Sequence, residues 1–305
     1  MKATLVIMAA GLGSRYGGSK QVDGLGPHRE ILMEYSIHDA LRAGFNKVVF
    51  IIKPDMEDQM RSLCGDYLER KTAQDGSPVE VVYAFQDFSS LPDFYTLPQG
   101  RVQPYGTVHA LLCAANVVHE PFCVINADDY YGIGPYRMIY DELSRLPAEG
   151  AAAMVGYQLK NTASLYGTVT RGICTVEGDR VRSVRETRRI KLFRDGTLRD
   201  LEEDRLLDPE SVVSMNFWGF MPSIFPVLEE YFQRFLQGPE GQERRSECLL
   251  PIMVDDLLRE GKLEVSLLRS DDKWFGMTYR DDRETVVSEL RKLHRAGVYP
   301  ETLRE

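Results

Sequence analysis

The stretch that decides the fold is residues 3–20, ATLVIMAAGLGSRYGGSK. Its apolar run from Leu5 to Ala10 predicts a buried strand, and that run ends abruptly in glycines. A buried strand that stops in a glycine-rich turn can present backbone N–H groups to a phosphate. Two cations, Arg15 and Lys20, follow within the same turn. The stretch therefore predicts a phosphate-binding loop.

Strand and helix patterns alternate directly after this stretch. Apolar residues recur at helical spacing over 31–43, and Gly44 supplies a natural end to that helix. The apolar run 47–52 predicts a second strand, a polar helix is expected over 55–70, and a third strand over 79–85. Strands that alternate with helices in this way indicate a parallel sheet with right-handed crossovers.

The rest of the chain continues the pattern and then departs from it. Helices are expected over 106–118, 136–146, 223–236, 246–259 and 284–296, and strands over 122–125, 151–159, 212–221 and 263–268. Short β-type runs between 166 and 186 indicate an antiparallel excursion, and the charged segment 187–209 an exposed loop or hairpin. The sequence predicts an α/β fold, with a Rossmann-like, mostly parallel central sheet flanked by helices and a smaller antiparallel part. We expect one domain over residues 1–305.

Composition excludes several classes of protein. A formal net charge of -9 argues against binding to nucleic acid or to an anionic membrane surface. Five cysteines without a C-x-x-C pair argue against a disulfide framework or a structural zinc site and favour a reducing compartment. The first apolar run is short and leads into a charged loop, so a signal peptide is not expected. We expect a cytoplasmic protein with no membrane span.

Two well-known phosphate motifs fail to match the opening loop. Gly11 and Gly13 begin a G-x-G-x-x-G dinucleotide fingerprint, but Tyr16 stands where the third glycine belongs. The second strand also ends at Lys53 instead of an acidic residue. No G-x-x-x-x-G-K-[ST] P-loop occurs anywhere in the chain. What remains is G-x-G-x-R with a lysine shortly after it.

That remaining pattern closely resembles the signature of the sugar-1-phosphate nucleotidylyltransferases, of the glucose-1-phosphate uridylyl- and thymidylyltransferase type. Further similar segments follow in the family's order: PYGTVHA (104–110), INADD (125–129), YGTV (166–169), VRE (184–186) and MNFWGF (215–220). The resemblance implies an enzyme of the EC 2.7.7 type and the fold of nucleotide-diphospho-sugar transferases. It also implies Mg²⁺-dependent transfer of a nucleotidyl group from an NTP to a sugar 1-phosphate, with release of pyrophosphate.

The resemblance and the residue chemistry together assign candidate site residues. Catalytic roles are expected for Arg15, Lys20 and Asp128, and Asp128 is the expected metal ligand because it follows an apolar strand. The predicted nucleotide-binding residues are Ala9, Ala10, Gly11, Gly13, Gln103, Gly106 and Thr107. The predicted sugar-binding residues are Asn126, Tyr166, Gly167, Glu186 and Asn216. Residues 1–160 would thus hold the nucleotide, while residues 161–305 would supply the sugar-binding part and the closing helices.

Two positions depart from the family pattern. The lysine that usually meets the sugar phosphate is Thr187 here, with Arg188 and Arg189 as the nearest replacements. A late aspartate that often serves as the second metal ligand is Gly276 here. Either one metal bound by Asp128 is sufficient, or one of the nearby aspartates 271, 272, 281 and 282 replaces the missing ligand.

Two other functions fit the same residues. A cytidylyltransferase that acts on a phosphorylated alcohol would use the opening loop equally well. A non-catalytic nucleotide-sugar sensor or regulatory subunit would explain the missing lysine and aspartate. The expected partners are an NTP and a phosphorylated sugar or related small molecule, and the sequence leaves the base, the sugar and a homo-oligomeric state open.

Overall fold

The computed structural model describes residues 1–11, 24–277, 279 and 281–304. Within these residues, eleven strands form one mixed sheet, and two further strands form a short ribbon. The sheet contains β1 (Thr4–Met8), β2 (Lys47–Ile52), β3 (Glu80–Phe85), β4 (Phe122–Asn126), β6 (Ala151–Gln158), β7 (Thr168–Glu177), β8 (Arg180–Leu192), β9 (Leu198–Asp200), β10 (Arg205–Leu207), β11 (Val212–Phe220) and β12 (Glu264–Arg269). The ribbon pairs β5 (Asp129–Tyr130) with β13 (Phe275–Gly276).

Helices cover both faces of the sheet. They are α1 (Leu32–Ala43), α2 (Glu57–Met60), α3 (Asp66–Leu68), α4 (Gly106–Leu112), α5 (Gly134–Leu143), α6 (Ile224–Gln237), α7 (Leu250–Arg259) and α8 (Asp282–Arg295). Leu5 and Ile7 of β1 belong to one buried cluster with α1 and α5, whereas Val6 belongs to another with α4, α6 and α7. This alternation is what a strand buried on both faces requires. No helix in the described ranges is long and apolar enough to cross a membrane.

The strand order is β10–β9–β8–β12–β6–β11–β4–β1–β2–β3, with β7 beside β8 and β11. Strands β3, β2, β1 and β4 are parallel, and so are β6 and β12. Strand β11 lies antiparallel between β4 and β6 and joins these two groups. The expected α/β class, with a mostly parallel centre and an antiparallel excursion, is confirmed.

One element prediction is resolved and another needs correction. Of the two alternatives for the charged segment 187–209, a loop or a hairpin, the structure forms hairpins, because β8 continues to Leu192 and pairs with β9, and β9 pairs with β10. The arginines of this segment lie on the exposed side, whereas Ile190 and Leu198 are buried. The many charged residues therefore hid the alternation of buried and exposed positions that is typical of a strand. The helix expected over 55–70 is divided by a π-helical segment, Arg61–Gly65, between α2 and α3.

The C-terminal segment closes the fold against α1. The hydroxyl of Tyr299 donates to Asp39 Oδ2 at 2.6 Å and lies 2.9 Å from the hydroxyl of Tyr130 in β5. Arg304 donates from Nε and Nη2 to the two carboxylate oxygens of Glu34, at 2.7 and 3.0 Å. Leu25 packs in the same cluster as Tyr130 and Tyr299. The end of the chain therefore supports both β5 and the residues that follow the opening loop.

Asp39 makes stability dependent on pH. Burial raises the pKa of its carboxyl to about 8, and the hydrogen bond from Tyr299 only partly opposes that rise. The folded protein therefore keeps this proton as pH rises above the pKa of the unfolded chain, and the stabilisation is lost as pH approaches 8. We expect urea unfolding to show lower stability at pH 8.5 than at pH 5.5, and Asp39→Asn to reduce that difference. Asp58→Asn, at an exposed aspartate, is the control, and an equal effect of both variants would contradict the assignment.

Candidate functional site

Two adjoining cavities lie at the carboxyl end of the parallel strands. The first has a volume of about 310 Å³ and is lined from β1, from the 103–110 segment and from the residues after β4. The second has a volume of about 480 Å³ and is lined mainly from β7, β8, β11 and the 274–277 segment. Thr107 and Asn126 line both cavities. Ligands of α/β sheets bind at this edge, so the two cavities form one candidate active site.

The first cavity collects most of the predicted nucleotide residues. Those that line it are Ala10, Gly11, Gln103, Gly106 and Thr107, together with Asn126 and Asp128. Ala9 is fully buried beside it, and its N–H donates to the Ile51 carbonyl at 2.8 Å. Gly13, Arg15 and Lys20 lie outside the described residues. Sequence reasoning missed Lys53, Gln86 and Glu247, which also line this cavity.

Gly106 opens α4 against the segment that leads into α7. Its φ is +81°, and a Cβ there would stand 2.9 Å from the Cys248 carbonyl oxygen. The same carbonyl accepts a hydrogen bond from the Val108 N–H at 3.0 Å, and Thr107 Oγ1 accepts one from the Leu250 N–H at 2.8 Å. Glycine is needed here both for the left-handed backbone and for this close approach.

We expect Gly106→Ala to destabilise the protein by about 1–3 kcal/mol, because it combines a positive φ with a contact to the backbone. Gly76→Ala is the matched control, since Gly76 has the same φ of +81° but no atom within 4 Å of its added Cβ. Urea unfolding of both variants measures the difference. Equal losses of stability would show that the contact with Cys248 contributes nothing.

Asp128 and Asp129 are both buried, and they face different cavities. Asp128 lines the first cavity and Asp129 the second. Asp129 Oδ2 accepts a hydrogen bond from Asn126 Nδ2 at 2.9 Å and lies 3.1 Å from the Tyr131 hydroxyl. Asp128 lies in the turn that follows β4, whereas Asp129 begins β5, so the two side chains leave the backbone from different elements. The distinct place of Asp129, and the contact with Tyr131, are not visible in the sequence motif.

The second cavity contains three of the predicted sugar residues, Asn126, Glu186 and Asn216. Asn216 has a φ of +59° and lies where the β11 register shifts between Ser214 and Trp218. Asparagine tolerates that conformation better than most residues, and the bulge turns its strand toward the cavity.

The other two predicted sugar residues lie elsewhere. Tyr166 is 55% exposed, and the Cα of Gly167 packs against the ring of Tyr279. Neither residue lines either of the two cavities.

Arg171 and Trp274 line the second cavity and were not predicted. The Arg171 guanidinium lies 4.8 Å from the centroid of the Trp274 ring. Burial lowers the pKa of Arg171 to about 10, against the attraction of Asp129 and Glu186. Burial likewise raises the pKa of the Glu186 carboxyl, against the attraction of Arg188 and Arg171. The cavity therefore holds a cation, carboxylates, amides and an aromatic face, which together suit a polar, hydroxylated ligand.

A family model described as nucleotidyl transferase matches residues 5–191, more than half of the chain. The chain belongs to the nucleotidyl transferase family. The enzyme class inferred from the opening loop is thereby confirmed. No curated protein sequence matches this nucleotidyltransferase closely enough to count as a relative.

Solved structures show the same fold. A putative glucose-1-phosphate thymidylyltransferase from Bacillus anthracis, in complex with a sucrose, is similar with a TM-score of 0.64 at 13% identity. That match covers 99% of this chain and 98% of the other. A UDP-glucose pyrophosphorylase complexed with UDP-glucose is similar with a TM-score of 0.61 at 15% identity, covering 96% and 99%. The nucleotidyltransferase therefore has the nucleotide-diphospho-sugar transferase fold that the sequence predicted.

Gly276 of the nucleotidyltransferase faces Asp129 across the β5–β13 ribbon. A Cβ on Gly276 would stand 2.6 Å from Asp129 Oδ1 and 2.9 Å from the Trp274 ring. The carboxylate of Asp129 thus lies in the space that an aspartate at 276 would need. Among the described residues, no three His, Cys, Asp or Glu side chains come together as a group able to hold a metal.

We expect Gly276→Ala to destabilise the enzyme by about 1–3 kcal/mol through overpacking. In an Asp129→Ala background the penalty should fall, because the contact at Oδ1 is removed while the contact with Trp274 remains. A double-mutant cycle measured by chemical denaturation gives this coupling directly. A coupling free energy near zero would mean that Asp129 does not restrict residue 276.

Proposed function

We propose that this enzyme transfers a nucleotidyl group from an NTP to a sugar 1-phosphate and releases pyrophosphate. The observation that carries the proposal is the pair of adjoining cavities that meet at Thr107 and Asn126. Nucleotidyl transfer needs two separately bound, highly charged substrates whose reacting groups meet at one place. Catalysis of this kind consists mainly of positioning and of neutralising charge.

The first cavity would receive the NTP. Among the described residues, no atom lies within 4 Å of a Cβ built on Gly11, so the described part of the chain gives no packing reason for a glycine there. Close approach of a phosphate to the backbone would account for it. Gln103 and Gly106 would face the base from the opposite wall of the same cavity. The proposed roles of Arg15 and Lys20 as phosphate-binding cations rest on the sequence of the opening loop alone.

The carboxylate of Asp128 fits a Mg²⁺ ion in the first cavity. Magnesium commonly takes one or two protein carboxylates and completes its shell with water and substrate phosphates, so a three-ligand cluster is not required. When bound, the ion would neutralise charge on the triphosphate and the leaving pyrophosphate. Asp129 is held by Asn126 and faces the second cavity, so its part in this proposal is to order that wall.

The second cavity would receive the sugar phosphate. Asn126, Asn216 and Glu186 offer amide and carboxylate groups to sugar hydroxyls from three different strands. Roles for Tyr166 and Gly167 in this pocket stay predictions. Residues 1–160 would mainly hold the nucleotide and residues 161–305 the sugar, although each part also lines the other's cavity. Complexes of the two solved neighbours contain a sucrose and UDP-glucose, which favours a carbohydrate acceptor over a phosphorylated alcohol.

The compartment and the partners follow from charge and thiol chemistry. The net charge of -9 supports small-molecule partners over nucleic acid. The cysteines are free, and four of the five are buried, which supports a cytoplasmic enzyme.

A pyrophosphate-release assay tests the reaction. Each of CTP, UTP, dTTP, ATP and GTP is combined with a panel of sugar 1-phosphates in the presence of Mg²⁺. We expect release with at least one pair and none when either substrate is omitted. Release only from CTP with a phosphorylated alcohol would support the cytidylyltransferase function instead, and NTP binding without any release would overturn catalysis.

With the productive pair identified, Asp128→Asn is expected to lower kcat by about 100-fold or more, because it removes the charge that faces the triphosphate. Asp93→Asn makes the same chemical change on an exposed loop and should leave kcat unchanged. Titration of Mg²⁺ against both variants measures whether the metal requirement rises only for Asp128→Asn. A kcat near that of the unmodified enzyme would remove Asp128 from the proposed machinery.

A further inference from the structure

We propose that Arg171 binds the phosphate group of the acceptor substrate. It would replace, from the neighbouring strand, the cation that Thr187 does not provide. This inference rests on the proposed function, because it assigns a residue to the phosphate of the sugar phosphate. It follows from the strand register, the lining of the second cavity and the contacts of the guanidinium.

The register places Arg171 of β7 directly opposite Thr187 of β8. Side chains that face each other across an antiparallel pair project from the same side of the sheet, with Cβ atoms about 4.5–5.5 Å apart. A cation on residue 171 therefore reaches the region that a cation on residue 187 would reach. Thr187 is itself 4% exposed and donates its hydroxyl to the Arg185 carbonyl, so it offers no charge to this region.

Arg171 is the one cationic side chain among the described residues that line the second cavity. Arg188 and Arg189, the replacements suggested by the sequence, are exposed and do not line either cavity. Arg171 also interacts electrostatically with Asp129, and Asp129 is hydrogen-bonded to Asn126 where the two cavities meet. Arg171 is thus coupled through Asp129 to the residues at which the two cavities meet.

Contacts with described residues hold the guanidinium in place and use only part of its N–H donors. Its Nε and Nη2 donate to the Thr162 carbonyl, its Nη1 donates to the Thr170 carbonyl at 2.8 Å, and its Cζ lies 4.8 Å from the centroid of the Trp274 ring. Arginine has five N–H donors, so the three bonds to described residues leave two donors to which the described part of the chain assigns no partner. A planar fork that is already oriented suits the oxygens of a phosphate.

The charge around Arg171 also favours an anionic ligand. Burial lowers the pKa of Arg171 more than the attraction of Asp129 and Glu186 raises it. The two carboxylates therefore replace only part of the stabilisation that water gives to an exposed guanidinium. With a pKa of about 10, the side chain is still cationic at neutral pH. A phosphate that enters the cavity would add negative charge and so stabilise the cationic guanidinium further.

Binding measurements on Arg171→Gln and Arg171→Lys test the proposal. Isothermal titration with the sugar 1-phosphate identified for the unmodified enzyme, and with the same sugar lacking phosphate, separates the phosphate from the sugar ring. We expect Arg171→Gln to weaken binding of the sugar 1-phosphate about 10- to 100-fold, with little change for the free sugar or the NTP. Arg171→Lys keeps the charge without the fork and should weaken binding less. Arg182→Gln, at an exposed arginine paired with Glu177, is the control.

A charge-relocation variant distinguishes phosphate binding from a structural role. Arg171→Gln combined with Thr187→Lys should regain at least tenfold in affinity for the sugar 1-phosphate, whereas lost support for Thr162 and Trp274 would not be restored by a lysine at 187. Equal weakening of phosphorylated and free sugar, or unchanged affinity in both Arg171 variants, would overturn the assignment. If Arg171→Gln does not fold, as judged by thermal unfolding, Arg171→Lys and Thr187→Lys decide the question. Absence of pyrophosphate release by the unmodified enzyme would instead contradict the proposed function.

Discussion

The hydroxyl of Tyr131 is the contact on which the candidate site depends. It is fully buried and lies within hydrogen-bonding distance of the Asn126 N–H, Asp129 Oδ2 and the Met215 carbonyl. These groups belong to the end of β4, to β5 and to the bulged part of β11. A buried polar group that loses its partner costs about 1–3 kcal/mol, so the three elements are held in one arrangement. Both cavities are built on that arrangement.

The sheet explains why the cavities meet where they do. Parallel strands β1 and β4 end side by side and supply the backbone of the first cavity, while antiparallel β11 separates β4 from β6. The bulge in β11 breaks regular pairing between Ser214 and Trp218, and Met215 and Asn216 within it line the second cavity. One strand of reversed direction thus creates a second binding surface beside the usual ligand edge of a parallel sheet.

Local patterns in the sequence were sufficient for the fold class and for much of the first cavity. The opening loop, the 103–107 segment and the residues after β4 each follow a strong local signal, and the structure brings their described members together. Long-range register carries no such signal. The pairing of Arg171 with Thr187 and of Gly276 with Asp129 depends on which strands lie side by side, so neither could be derived from spacing. Tyr166 is exposed although a matching motif contains it, and its sugar-binding role stays a prediction.

Tyr299 and Arg304 have a consequence for the order in which the enzyme matures during synthesis. Tyr299 bonds to Asp39 and contacts Tyr130, and Arg304 closes on Glu34, which lies 270 positions earlier in the chain. Tyr299 belongs to the same buried cluster as Leu25 and Tyr130. A growing polypeptide can form β1 to β4 early, but Tyr130 of β5 gains its contact with Tyr299 only when residue 299 has been synthesised. Full assembly of the site therefore waits for the end of translation of this segment.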